Sequence, residues 1–404
     1  MSYAQLFWLI VAAGLAAFSI GRVAVLRRAE QYDSPLRSLP NYYGYMASWL
    51  VIAPALLLLS AGWMFFVLTS SGQLTISIAI PAILMGMLLL SWHYARPQIA
   101  AQQLVEGFMR TALGLCSLVA VLTTFGISLS LIFESVQFFQ SVSPFEFLTG
   151  LKWSPQTAIR TDQFGQSGTF GAIPIFTGTF LITFIAISIA APIGIVIAIY
   201  LSEYSGRVAR DYLKPTVEVL AAIPTIVYGY FALLTVGPLI RNFGASVGFD
   251  IPGQSAIAAG LVLGIMIVPY ISSLSDDAIR AVPQDLRDGS IALGATGAET
   301  LFGVTLPAAM PGILAALLLG VSRAIGETMI VVLAAGQFAN LTANPLDTVT
   351  TVTVQIVALL TGDVEFDSPK TLAAFALALV LFAITLALNI IALTIAQRRK
   401  RASA

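Results

Sequence analysis

Long apolar runs separated by short polar stretches set the pattern of this chain. They fall near residues 4–26, 46–69, 75–95, 111–135, 172–202, 216–240, 255–275, 308–336 and 371–396. A helix crosses a bilayer in about 20 such residues, whereas barrel strands need only about 10 with alternating polarity. The runs do not alternate, so the expected fold class is all-α: a polytopic membrane protein with nine candidate helices. Prolines 54, 81, 192, 224, 238 and 269 lie within or beside them and read as kinks, which membrane helices tolerate. The deepest polar interruption runs from Asp276 to Pro307. Within it Pro283 suits the first turn of a helix, Asp285 and Asp288 favour that helix's N-terminal end, and Gly294 can stop it in a left-handed conformation. A second helix is expected to begin at Thr296, with Glu299 completing a capping box ahead of Leu301 and Phe302. Two short helices this polar lie outside the lipid, in water or in a protein groove.

Composition agrees with the pattern: 58% of residues are hydrophobic, 10% charged, and the mean hydropathy is +0.90. The amphipathic stretch 96–110, RPQIAAQQLVEGFMR, divides the chain into an N-terminal extension of about three helices (1–105) and a six-helix part (106–404). Loops 136–171 (Gly165, Gly168, Gly171) and 337–370 (Asp347, Asp363, Glu365, Asp367) are long enough to receive a partner. Basic residues stay on the cytoplasmic side. Placing the 276–307 loop there leaves only Lys152, Arg160, Arg241 and Lys370 in outer loops, while Arg22, Arg27, Arg28, Arg37, Arg96, Arg110, Arg207, Arg210, Lys214, Arg280, Arg287 and the C-terminal QRRKR face inward. The N-terminus is then outside, on a retained first helix, and the C-terminus is cytoplasmic. One cysteine, Cys116, and one histidine, His93, exclude an internal disulfide and a His/Cys metal cluster. No Gly-Lys pair occurs, so there is no phosphate-binding loop of the GxxxxGK[ST] kind, and any ATP is hydrolysed by another chain. Neither the charge balance nor the basic tail indicates nucleic-acid binding.

Asp288-Gly289-Ser290, then Gly294, then Val304-Thr305-Leu306-Pro307 after nine intervening residues, resembles the cytoplasmic EAA loop of bacterial ABC importer permeases. The opening triplet departs from that pattern, and Val304 is a conservative variant of it. The resemblance implies a coupling helix, carried by Asp288, Gly289, Ser290, Gly294, Val304, Leu306 and Pro307, that docks in a groove of an ATPase subunit. The stretch from Gly320 to Met329, GVSRAIGETM, is similar to the GxxRAxGET motif of phosphate-specific transport permeases, with Glu-Thr-Met favouring the PstC type, and Leu201–Tyr204 and Glu218–Gly229 are similar to two other stretches of that subfamily. The similarity covers roughly residues 110–400 and leaves the first three helices unassigned. It implies a six-helix type I importer core, with the transmembrane domain at about 172–396 and the coupling loop at about 276–307. It implies a PstA-type second permease, an ATPase dimer carrying ATP and Mg, and an extracytoplasmic phosphate-binding protein. This chain would bind no cofactor and would not be an enzyme.

Arg323 and Glu327 lie four apart in an otherwise apolar run, which puts them on one helical face. Each costs about 2.5–3.5 kcal/mol at mid-bilayer, so both must face protein or water. An intrahelical ion pair that locks packing meets that requirement. So does an anion pathway in which Arg323 offers a fork to a phosphate oxygen, Glu327 accepts a hydrogen bond from the proton that phosphate carries and repels sulfate, and Thr328 adds a hydroxyl. The expected function is ATP-driven import of inorganic phosphate across the inner membrane. The alternatives are a permease for molybdate or sulfate, a secondary transporter working alone, or a phosphate-sensing scaffold.

Overall fold

The computed structural model describes residues 3–31, 35–69, 73–94, 96–155, 168–361 and 368–402. Arg160, Gly165, Asp363, Glu365 and Asp367, expected in outer loops, lie outside the described residues. The chain divides into two compact units, 1–126 and 127–404.

In the first unit α1 (Tyr3–Gln31), α2 (Pro40–Thr69) and α3 (Gln73–Tyr94) pack around Leu6, Ile10, Ala17, Val51, Ala55, Ile80 and Leu84. Lipid tails are as apolar as leucine, so helices associate in the bilayer where small residues let their backbones approach. Gly21 shows this: a Cβ there would sit 2.6 Å from Ala47 Cβ and 2.7 Å from the Tyr43 carbonyl oxygen. Beyond α3, the Tyr43 hydroxyl lies 2.8 Å from both the Pro97 and the Ile99 carbonyl oxygens. That contact fastens the 96–100 turn beneath the start of α4 (Ala101–Ser141), the helix within which the two units meet in sequence.

The second unit continues with α5 (Pro144–Thr149) and a minimal hairpin, β1 (Trp153–Ser154) antiparallel to β2 (Thr169–Phe170). Then come α6 (Ile173–Ile199), α7 (Arg207–Ala222), α8 (Thr225–Phe231), α9 (Gly237–Val247) and α10 (Ala256–Arg280). The sequence continues through α11 (Gln284–Ala292), α12 (Gly297–Thr300), α13 (Leu306–Ile325), α14 (Met329–Ala334), α15 (Val352–Leu360) and α16 (Pro369–Ala402). Helix α10 is central: 67% of its most apolar window is buried, against 22–33% for the other spans of this unit. Gly260 and Gly264 bring it onto α6, where an added Cβ would meet Ile185 at 2.5 Å and the Ala186 carbonyl oxygen at 3.0 Å. Among the described residues eight helices are long and apolar enough to cross a membrane. The expected third span forms α3, whose described apolar stretch, Ile80–His93, is shorter.

Three expectations need correction. The run 216–240 is not one kinked helix. Ile223 and Pro224 are extended (ψ 129° and 134°), the conformation proline favours in the residue before it. The amphipathic α7 therefore ends at Ala222, and the span is Thr225–Val247. The run 308–336 also breaks, at Gly326–Thr328. Finally, the 337–370 segment is more than a loop. It contains α15, whose N-terminal residues Val352, Thr353, Val354 and Gln355 are buried, and the Val352 amide donates to Thr179 Oγ1 on α6 at 3.0 Å.

Candidate functional site

At the end of α10 the expected polar element is present. Gly294 adopts φ +91°, a left-handed conformation that lets α11 stop without the clash a Cβ would bring. Thr296 Oγ1 accepts from the Glu299 amide, and Glu299 Oε2 accepts from the Thr296 amide at 2.8 Å, so the capping box is complete. These bonds lower the Glu299 carboxyl pKa, backbone first. Ser290 and Thr300 join the two short helices through their hydroxyls, 2.9 Å apart. Asp288 accepts from Gln284 Nε2 at 3.2 Å, and no neighbour crowds Gly289. A π-helical turn, Leu301–Thr305, carries Val304 and passes directly into α13 at Leu306 and Pro307. Outward from this element point Leu286, Ile291, Phe302 and above all Leu293, which is 92% exposed. Apolar tips on a polar element outside lipid are what a protein groove covers.

Ionic contacts fix the base of the element. Asp276, at the end of α10, has no solvent exposure. Arg210 Nη2 and Lys214 Nζ donate to its Oδ2 at 2.6 and 3.1 Å, and Arg280 Nε lies at ion-pair distance, 3.4 Å, from Oδ1, which takes no hydrogen bond among the described residues. Desolvation works against the Lys214 ammonium, but its bonds and charge attraction to Asp276 and Asp277 outweigh that and raise its pKa. Arg287 on α11 pairs with Glu203, in the turn that follows α6, and donates to the Ile279 carbonyl at 2.7 Å. The result ties α6, α7 and α10 to the two-helix element. Only Asp276–Arg280, at i,i+4, was legible from spacing; partners 62, 66 and 84 residues apart were not.

The second polar region is the break after α13. Arg323 and Glu327 do not share a helical face: α13 ends at Ile325, and among the described residues no ion pair joins them. The backbone on either side of Glu327 shows how. Gly326 closes the helix, and Thr328 takes φ −117°, which frees the Glu327 side chain to turn forward. Its Oε1 then accepts from the Met329 and Ile330 amides at 3.0 and 3.4 Å, supplying α14 with the acceptor its first turn lacks. The Glu327 carbonyl is held by Thr353 Oγ1 at 2.8 Å. Arg323 is exposed and lies with its guanidinium 5.6 Å from the centre of the Tyr270 ring, a cation–π contact. Thr328 is half-buried beside them. Gln355 anchors the surrounding polar shell. It accepts from Trp153 Nε1 at 2.9 Å and donates to the Gln337 carbonyl at 3.1 Å. Tyr270 and Thr353 carried no sequence signal, since each sits singly in an ordinary run.

Membrane-length apolar helices, an arginine beside a helix break and a polar two-helix element with exposed apolar tips make up the layout of a membrane permease. Residues 190–401 match the family described as binding-protein-dependent transport system inner membrane component, and the chain belongs to that family. Residues 7–82 match a second family, described as phosphate ATP-binding cassette transporter. The "Probable ABC transporter permease protein YqgH" of Bacillus subtilis is 35% identical over 74% of this chain and 93% of its own length. "Phosphate transport system permease protein PstC 1" of Mycobacterium tuberculosis is 34% identical over 63% and 82%. The PstC permease of Mesorhizobium japonicum is 32% identical over 64% and 80%. The chain is thus a multi-pass inner-membrane subunit of an ABC importer, working with permease, ATPase and binding-protein partners, and ATP is hydrolysed on a separate subunit.

Proposed function

We propose that this chain is the PstC-type half of a phosphate importer, paired with a PstA-type permease. The observation that carries the reading is the break at Gly326–Thr328. An arginine faces open space there with no carboxylate within ion-pair distance among the described residues, in a chain whose relatives are named phosphate permeases. A guanidinium offers two parallel donors to a phosphate. Glu327 uses Oε1 as a cap, and Oε2 makes no hydrogen bond among the described residues. That oxygen accepts a hydrogen bond from the protonated oxygen that phosphate keeps near neutral pH and sulfate lacks, and Thr328 adds its hydroxyl. The distribution of basic residues supports a cytoplasmic 276–307 loop and C-terminus and an outside N-terminus. Asp288, Gly289, Ser290, Gly294, Val304, Leu306 and Pro307 form the coupling surface, with Leu293 and Phe302 seated in the ATPase groove. ATP and Mg bind on that partner. Phosphate arrives from an extracytoplasmic binding protein, and closure of the ATPase dimer moves the bundle between outward and inward access.

The test is uptake of radiolabelled phosphate by vesicles containing the intact complex. Uptake should require ATP and compete poorly with sulfate or molybdate. Arg323→Gln should lower it at least 10-fold, and Glu327→Gln should narrow the advantage over sulfate. Sulfate or molybdate transported in preference to phosphate would overturn the substrate assignment and leave the permease class standing.

A further inference from the structure

We propose that the N-terminal unit holds an anionic glycerophospholipid, with one acyl chain in a groove between α2 and the start of α4 and its headgroup against an arginine cluster at the groove's mouth. Two adjoining clefts form the groove. The first, about 450 Å³, is lined by Met46, Leu50, Met87, Ile99, Leu104 and others. The second, about 770 Å³, continues past Leu56, Leu57, Leu115 and Cys116. Trp49, Ala53 and Phe108 line both, and the Trp49 and Phe108 rings stand 4.5 Å apart across the join. The walls are almost wholly apolar. From Met46 to Ser60 the groove follows α2 for about 21 Å at 1.5 Å per residue, more than the roughly 15 Å depth of one leaflet.

The mouth is basic. Arg28 Nη1 donates to the His93 carbonyl at 3.3 Å, Arg96 Nη2 lies 3.3 Å from His93 Nε2, and the Arg37 amide donates to the Pro97 carbonyl at 3.2 Å. The Arg28 and Arg96 guanidiniums therefore meet at His93, and the Arg37 backbone joins them at the turn whose Ile99 lines the first cleft. The Arg28 guanidinium lies 5.8 Å from the centre of the Trp92 ring, and a tryptophan beside basic residues is the pairing found where membrane proteins meet lipid headgroups. Across 22–110 the chain carries Arg22, Arg27, Arg28, Arg37, Arg96 and Arg110 against Glu30, Asp33 and Glu106, a surplus of positive charge. A basic mouth above an acyl-sized groove complements a phosphodiester headgroup with an uncharged substituent, and a zwitterionic choline headgroup less well.

The intact complex, purified in mild detergent, would be loaded with dioleoyl phosphatidylglycerol or dioleoyl phosphatidylcholine and the lipid retained by this chain counted by native mass spectrometry. Phosphatidylglycerol should be retained at least about 5-fold better, the factor expected for one engaged arginine. Arg96→Gln should reduce that preference about 5-fold. Ala53→Phe, which fills the shared wall, should lower retention of both lipids. As a readout needing no variant, phosphatidylglycerol should slow maleimide modification of Cys116 more than phosphatidylcholine does. Equal retention of the two lipids, or retention unaltered by both variants in folded complexes, overturns the proposal. So does photo-cross-linking from position 53 to a neighbouring permease chain, which would give the groove to a protein. Phosphate uptake is not part of the readout, so the lipid site and the transport reading fail separately.

Discussion

Asp276→Asn removes the charge on which three cations converge and keeps the side chain's volume. Breaking a buried ion pair costs about 3–5 kcal/mol when the stranded charge stays buried. Here the stranded groups differ: Arg210 is 14% exposed, Lys214 25% and Arg280 49%. Arg280 can turn to water, Lys214 largely can, and Arg210 cannot do so without moving α7. The asparagine oxygen still accepts one bond from Arg210, which puts the loss at about 2–3 kcal/mol, at or just below the bottom of that range. Because the contact joins α7 to the root of the two-helix element, the loss should appear as slack there before the bundle unfolds. In reconstituted complex, ATP hydrolysis stimulated by the binding protein should persist while phosphate moved per ATP falls severalfold. Arg280→Gln should be much milder, at most about 1 kcal/mol, as for an exposed pair. The reasoning is refuted if Asp276→Asn leaves both transport per ATP and thermal stability unchanged, or if Arg280→Gln is as damaging as Asp276→Asn.

Gly294→Ala forces a Cβ into φ +91° and should cost about 1–2 kcal/mol of local stability, whereas Gly294→Asn should cost less; hydrogen exchange of α11 amides would rank them. Tyr270→Leu should raise the KM for phosphate uptake severalfold with little change in kcat, and Tyr270→Phe should restore the wild-type KM, because the ring and not the hydroxyl meets Arg323. Lys214 has its pKa raised above its ordinary 10.5, so its stabilising contribution is complete below 10.5 and fades only as pH rises through the higher folded value. Lys214→Met should therefore lower the melting temperature by the same amount at every pH from 7 to 9.5, checked by thermal unfolding in detergent.

Local chemistry was readable from the sequence wherever a short stretch determines it. The Thr296 capping box and the Gly294 stop each depend on residues a few positions apart, and both formed as expected. Breaks inside apolar runs were not readable. Pro224 ends a helix while Pro192 and Pro269 sit within continuous ones, and the difference lies in what lies around each proline, such as Tyr228 reaching back to the Leu220 carbonyl at 2.8 Å. The Arg323–Glu327 spacing misled for the same reason. Four-residue periodicity has meaning only inside an unbroken helix, and Gly326 ends that helix between the two. The ion pairs that hold the loop are long-range, so composition registered their arginines and lysine only as a bias of sidedness.

The π-helical turn has a mechanical meaning. It joins α12 to α13 without interruption, so Gly297–Ile325 is one continuous helix and, moved as a unit, a lever. The capping box grips one end, and Arg323 rides near the other, about 39 Å away at 1.5 Å per residue. A tilt of about 5° at the gripped end would swing the guanidinium by roughly 3 Å, the length of a hydrogen bond. Such gearing turns a small nudge at the capped tip into the making or breaking of a bond at the far end of the helix.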